Sequence, residues 1–69
     1  MEEQLVTSMK VHRAMHQLTQ ADLADLTGIT RKSINAIEMG RMVPSTILAL
    51  KLAKALETTV EQLFSIELV

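Results

Sequence analysis

Leu18 to Gly40, LTQADLADLTGITRKSINAIEMG, is the stretch that leaves this chain the fewest choices of architecture. Two short amphipathic segments, Gln20 to Thr27 and Arg31 to Met39, flank Gly28-Ile29-Thr30. Glycine takes positive φ without steric cost, so Gly28 can end one helix and turn the chain at once. Thr30 can cap the next helix, its hydroxyl accepting from an N–H two or three residues on. Thr19 can do the same for the earlier helix, with Asp22 near the positive end of its dipole. Leu23, Ala24, Ile34 and Ile37 put one sparse apolar stripe on each segment, and Ile29 plugs the turn. Two short helices that each bury one stripe and meet at a tight turn make a helix-turn-helix, spanning about residues 19–39.

The surrounding pattern resembles a known family. Leu18-Thr19-Gln20, Leu23-Ala24, Gly28-Ile29-Thr30-Arg31, Ile34 and Ile37-Glu38 with Gly40 match the Cro and phage-repressor-like (Xre-type) DNA-binding domains. The match continues through Pro44-Ser45, the run Leu48 to Ala53, and Val60-Glu61-Gln62-Leu63-Phe64, so it covers roughly residues 7–64. No single dipeptide is diagnostic; the ordered run of matches at fixed offsets carries the resemblance. It implies an all-α, five-helix, lambda-repressor-like helix-turn-helix domain, here residues 1–69 as one unit. A minimal two-stranded sheet is expected from Gln4-Leu5-Val6 and from Phe64 to Leu68, which alternates apolar and polar residues as a half-buried strand should.

Outside the motif, Thr7 or Ser8 is positioned to cap a first helix running to about His16, and Ser45 a fourth running to Leu56. Leu48, Leu52 and Leu56, with Ala49 and Ala53 beside them, form its core stripe, whereas Ile47 and Leu50 fall elsewhere on the wheel. Thr59 with Gln62 has capping spacing for a short fifth helix, Val60 to Phe64. Gln17 and Glu57 stand where the resembling family often has a helix-ending glycine.

Charge separates along the chain. Residues 1–27 carry a balance of −2, residues 28–54 one of +4 from Arg31, Lys32, Arg41, Lys51 and Lys54 against Glu38, and residues 55–69 one of −3. A net charge of −1 is awkward for a nucleic-acid binder, but the positive charge sits in the second motif helix and the segment after it. Two adjacent bases at the start of a helix oppose its dipole, so Arg31 and Lys32 make little structural sense without an anion. For Asn35 a merely solvated face explains the residue nearly as well.

Carried onto matching positions, the family's roles put helix 31–39 in the major groove of double-stranded DNA. Gln20 would contact a phosphate through its side chain and the helix N-terminus. Thr30, Arg31, Lys32, Ser33, Asn35 and Ala36 would face the groove: Arg31 or Lys32 on guanine, Asn35 on adenine, Ala36 against a thymine methyl, Ser33 on a base or a phosphate. Arg41 would hold the backbone. Arg13 is expected to pair with Glu38 in a structural role, fixing the angle of the recognition helix.

Other chemistries find little here. His12 and His16 sit one helical turn apart, but Arg13 stands where a metalloprotease helix carries its glutamate, and no third ligand is in reach. The chain has no cysteine, which fits a reducing compartment. Nucleophile–base pairs, phosphate loops and ligand clusters are not found, so neither enzyme activity nor a cofactor is expected. Apolar runs too short for a bilayer and an N-terminus unlike a signal peptide point to a cytoplasmic protein. Leu63, Phe64, Ile66, Leu68 and Val69 crowd the last residues, and a monomer this small would struggle to hide them. A twofold homodimer through residues 57–69 and the end of the fourth helix is therefore expected, with Leu63, Phe64, Ile66 and Leu68 in the interface. The sequence thus reads as a dimeric, DNA-binding transcriptional repressor; the alternative is a protein-interaction module such as an antitoxin or controller subunit.

Overall fold

The computed structural model describes residues 2–69. Strand β1 (Glu3–Thr7) leads into α1 (Met9–Met15), α2 (Gln20–Thr27), α3 (Arg31–Glu38), α4 (Thr46–Ala55) and α5 (Val60–Leu63), and β2 (Phe64–Leu68) closes the chain. The five expected helices and the small antiparallel sheet are present. Phe64, read both as the end of the fifth helix and as the start of the second strand, is the first residue of β2.

Local hydrogen bonding sets the helix starts. The hydroxyls of Thr19, Thr30, Ser45 and Thr59 accept from the backbone N–H groups of Asp22, Ser33, Leu48 and Gln62. At α2 the bond is reciprocated, because the Thr19 N–H donates to the Asp22 carboxylate at 2.9 Å. Donation to its carboxylate by Thr19, the backbone N–H first and the hydroxyl second, holds the Asp22 carboxyl below the usual carboxylate range. At α1 the Thr7 hydroxyl accepts from the Met9 N–H, whereas Ser8 is drawn away to the carbonyls of Gln62 and Leu63. Gly28 (φ 73°) ends α2 and Gly40 (φ 76°) follows α3, both in the left-handed region. Past Gly40 the N–H groups of Arg41 and Met42 return to the Ala36 carbonyl, satisfying the end of α3.

One core joins all five helices. Met9, Leu23, Ile34, Ile37, Leu52, Leu56 and Leu63 are fully buried, and Ile29, Ala49, Ala53 and Phe64 complete the cluster. Each of the seven fully buried side chains contributes about 1.5–3 kcal/mol by leaving water. Ile29, buried in the same cluster as Leu23 and Ile34, anchors the turn that joins α2 to α3.

Glu3, Leu5 and Thr7 stand opposite Leu68, Ile66 and Phe64, so those six side chains share one face of the ribbon. That face meets the core at Leu5 and Phe64 and then runs past it: Ile66 is 68% exposed and Leu68 61%. The expected half-buried strand is thus buried only at its first residue. The expected interface also needs correction. Leu63 is 1% exposed and Phe64 9%, both turned inward to finish the core, so Leu63 has no surface to offer a second subunit and Phe64 only the edge it shows to a neighbouring groove. Ile66, Leu68 and Val69 are the apolar tail residues left outside.

Candidate nucleic-acid interface

The angle of α3 rests on an ion pair with α1. Arg13 Nε donates to Glu38 Oε2 at 2.8 Å and its Nη2 to Oε1 at 3.1 Å, while Nη1 donates to the Leu18 carbonyl at 2.9 Å. The two side chains are 15% and 6% exposed, so the pair lies largely out of water. Hydrogen bonding to Glu38 and, after it, the carboxylate's charge raise the guanidinium pKa above its ordinary value, against burial that lowers it. A bidentate pair fixes direction as well as distance, which is what a helix held at one angle requires.

Arg31 and Lys32 are exposed at the first turn of α3, and among the described residues neither has an acidic partner. Glu38 occupies the last turn, so the charges of α3 oppose its dipole at both ends. Only the C-terminal conflict is relieved within the chain, by Arg13. Arg31 also lines two shallow clefts against α2, one with Thr19, Gln20 and Ala21 and the other with Ala21, Ala24 and Gly28. It therefore sits between the N-termini of both motif helices, where backbone N–H groups and a guanidinium converge.

The other expected contacts divide. Arg41 is exposed in the loop after α3, and Asn35 is exposed on α3. The Thr30 hydroxyl is occupied twice, accepting from the Ser33 N–H and donating to Ser33 Oγ at 3.0 Å, which leaves the half-buried Ser33 hydroxyl with its own hydrogen to give. Ala36 is half-buried. Gln20 departs from expectation: its Nε2 donates to Asn35 Oδ1 and to Glu38 Oε1, each at 3.1 Å. Both amide hydrogens are committed, so the side chain has none left over for the phosphate expected of it. The sequence holds no signal for this, because the contact depends on how α2 and α3 cross.

The histidines do not converge on a metal. His12 Nδ1 lies 3.0 Å from the Ser8 carbonyl and His16 Nε2 2.9 Å from that of Leu56. Among the described residues no three His, Asp or Glu side chains are grouped as a metal site would require.

A different surface lies between α4, α5 and β1. Leu5, Val43, Leu50, Ala53, Val60 and Phe64 line an open apolar groove of about 810 Å³, with Lys54 and Glu61 among the residues at its edge. Leu50, exposed and off the core stripe of α4, and Phe64, expected in an interface, are the residues by which the sequence pointed to it.

Comparison with known proteins agrees with this geometry. A family described as helix-turn-helix matches residues 9–63. An uncharacterized HTH-type transcriptional regulator of Methanocaldococcus jannaschii is 46% identical over 59 residues, covering 86% of this chain and 89% of that protein. Another, from Bacillus subtilis, is 41% identical over 59 residues with the same coverage. Among solved structures, the restriction-modification controller protein C.AhdI from Aeromonas hydrophila superposes with a TM-score of 0.74 at 31% identity, over 78% of this chain and 82% of that one.

Proposed function

The chain belongs to the Cro- and Xre-like helix-turn-helix family of DNA-binding transcriptional regulators, and from that membership we propose that it is a sequence-specific, dimeric repressor reading a near-palindromic operator with α3 in the major groove. The observation that carries the reading is the pair Arg31 and Lys32, exposed and without an acidic partner among the described residues at a helix end that repels them. A phosphate or a guanine edge supplies the missing counter-charge or acceptor. Thr30 places both at the entrance of α3, and the Arg13–Glu38 pair holds that helix at a fixed angle.

Dimerisation is supported by the groove between α4 and α5 and by the uncovered Ile66, Leu68 and Val69. A twofold pair would present two recognition helices to half-sites about one turn, ~34 Å, apart. Repression results from occupying a promoter, and the setting is the cytoplasm; the chain works by binding, with no enzyme chemistry or cofactor. No helix among the described residues is long and apolar enough to cross a membrane. The alternative, a module whose main partner is another protein, draws on the same apolar surface, and DNA binding that appears only with an added protein would favour it.

Selection of sites from randomised duplex DNA by the purified protein tests the whole reading. An enriched motif with twofold symmetry and one-turn spacing is the expected result. Recovery of no motif at low salt would remove the sequence-specific function.

A further inference from the structure

The hydrogen-bond chain that begins at Arg13 does not stop at Glu38. Glu38 Oε1 accepts from Arg13 Nη2 and also from Gln20 Nε2, each at 3.1 Å. A carboxylate can only accept, so Gln20 must turn its NH2 group, and not its oxygen, toward Glu38. The second hydrogen on that nitrogen then points to Asn35, which must answer with its own oxygen, Oδ1, at 3.1 Å. The orientation of each amide is dictated by the one before it. At the end of the chain Asn35 has its carbonyl tied back to α2 and its Nδ2 hydrogens free, on an exposed position of the recognition helix.

We propose that Gln20 is a positioning residue that sets the polarity of Asn35, so that Asn35 enters the groove nitrogen first and reads an acceptor on a base edge. The inference rests on the proposed placement of α3 in the major groove. The acceptors available there are purine N7, guanine O6 and thymine O4, and guanine offers two side by side. Cytosine presents a donor, N4–H, to a group that is itself a donor, and is the base rejected. The two-way contact with adenine expected of Asn35 from the sequence gives way to a donor-only contact. Gln20 acts on specificity from behind, through Asn35, and does not grip the backbone through its side chain.

The test is site selection from randomised duplex DNA with the wild type, Asn35→Ala, Gln20→Met and Asn35→Asp, each first checked for native helical content. Gln20→Met keeps the length of the side chain and removes its donors. Asn35→Ala identifies the base pair read by Asn35 as the one whose preference disappears. At that pair the wild type should favour guanine or another acceptor edge, and Gln20→Met should relax the preference roughly fivefold to tenfold, the scale of one base contact, with every other position unchanged. Asn35→Asp, which only accepts, should turn the preference toward cytosine. Replacing N7 by carbon in a purine selected at that pair should weaken the wild type and leave Asn35→Ala unaffected. Cytosine selected by the wild type, or a Gln20→Met protein that loses affinity for all sequences alike with its preferences intact, would overturn the proposal while leaving the regulator reading in place. A wild type that selects no sequence overturns both.

Discussion

His16 Nε2 lies 2.9 Å from the backbone carbonyl of Leu56, and each of these two residues is followed by a non-glycine residue in the left-handed region: Gln17 at φ 56° and Glu57 at φ 54°. A carbonyl only accepts, so Nε2 carries the hydrogen and the ring caps the C-terminal end of α4. The ends of α1 and α4 are therefore stitched together at two strained turns, in positions where the family often has glycine.

Substituting glycine at either turn should stabilise the fold. A left-handed L-residue costs about 1–2 kcal/mol, which glycine avoids while giving back part as unfolded-state entropy. Gln17→Gly and Glu57→Gly should each gain about 1 kcal/mol, seen as a midpoint raised by about 4–8 °C in thermal unfolding. Glu57 also sits 3.8 Å from His16 Nδ1, but at 79% side-chain exposure that contact is worth little. His16→Ala should lose about 1 kcal/mol by leaving the Leu56 carbonyl without its donor. Unchanged midpoints for both glycine variants would show that the turns are not strained.

The Arg13–Glu38 pair makes a sharper prediction. Removing one partner leaves a largely buried charge unmatched, so Arg13→Ala or Glu38→Ala should each destabilise by about 3–5 kcal/mol. Replacing both by apolar residues of similar volume, Arg13→Met with Glu38→Leu, should recover much of that loss in urea unfolding. Operator affinity should not recover with it, because the angle of α3 is then held by packing alone.

Acid should weaken the start of α2. The Asp22 carboxyl titrates below its unfolded value, so the folded state is favoured above the unfolded pKa, and that contribution is lost as pH falls through the folded one. The window lies below about pH 4, the ordinary aspartate value. Carbon-detected NMR titration should place Asp22 below the ordinary aspartate value, and Thr19→Ala, which removes the hydroxyl but keeps the backbone N–H, should bring it part of the way back.

The two classes of base should separate in binding assays. Arg31→Ala should cost specific binding about 1–3 kcal/mol and relax one operator position. Arg41→Ala should weaken all sequences alike and lower the slope of log affinity against log salt by about one unit. Equal effects of both changes on operator and random DNA would remove Arg31 from base readout.

In the tail, Ile66→Lys with Leu68→Lys should yield monomers in sedimentation at micromolar concentration with helical content intact, since both side chains are exposed. Phe64→Ala should instead unfold the protein, costing about 3–5 kcal/mol as a core truncation. A wild type that sediments only as a monomer would sink the dimer.

What the sequence disclosed was local or periodic. Thr19, Thr30, Ser45 and Thr59 each bond three residues ahead, and Gly28 sits where a helix must stop, so those elements could be read without knowing the fold. Leu52 and Leu56 share one stripe by period, and the core confirms them. The run Leu63-Phe64-Ser65-Ile66 defeated the same reasoning, because the period changes from helix to strand inside it, and one count cannot say which apolar residue turns inward. Gln20 was opaque for a different cause. Its partners lie on another helix, and their choice depends on a crossing that no local rule supplies.

The ribbon has a temporal consequence. Glu3–Thr7 pairs with Phe64–Leu68, so nothing in the sheet can zip up until the intervening helices have folded back and carried the two ends to one place. Assembly therefore finishes there, and fraying begins there. In hydrogen exchange the amides of Val6 and Ser65, a hydrogen-bonded pair of the ribbon, should open well before those of Leu23 or Leu52, so the chain loses its apolar tail as an ordered surface while α3 still stands.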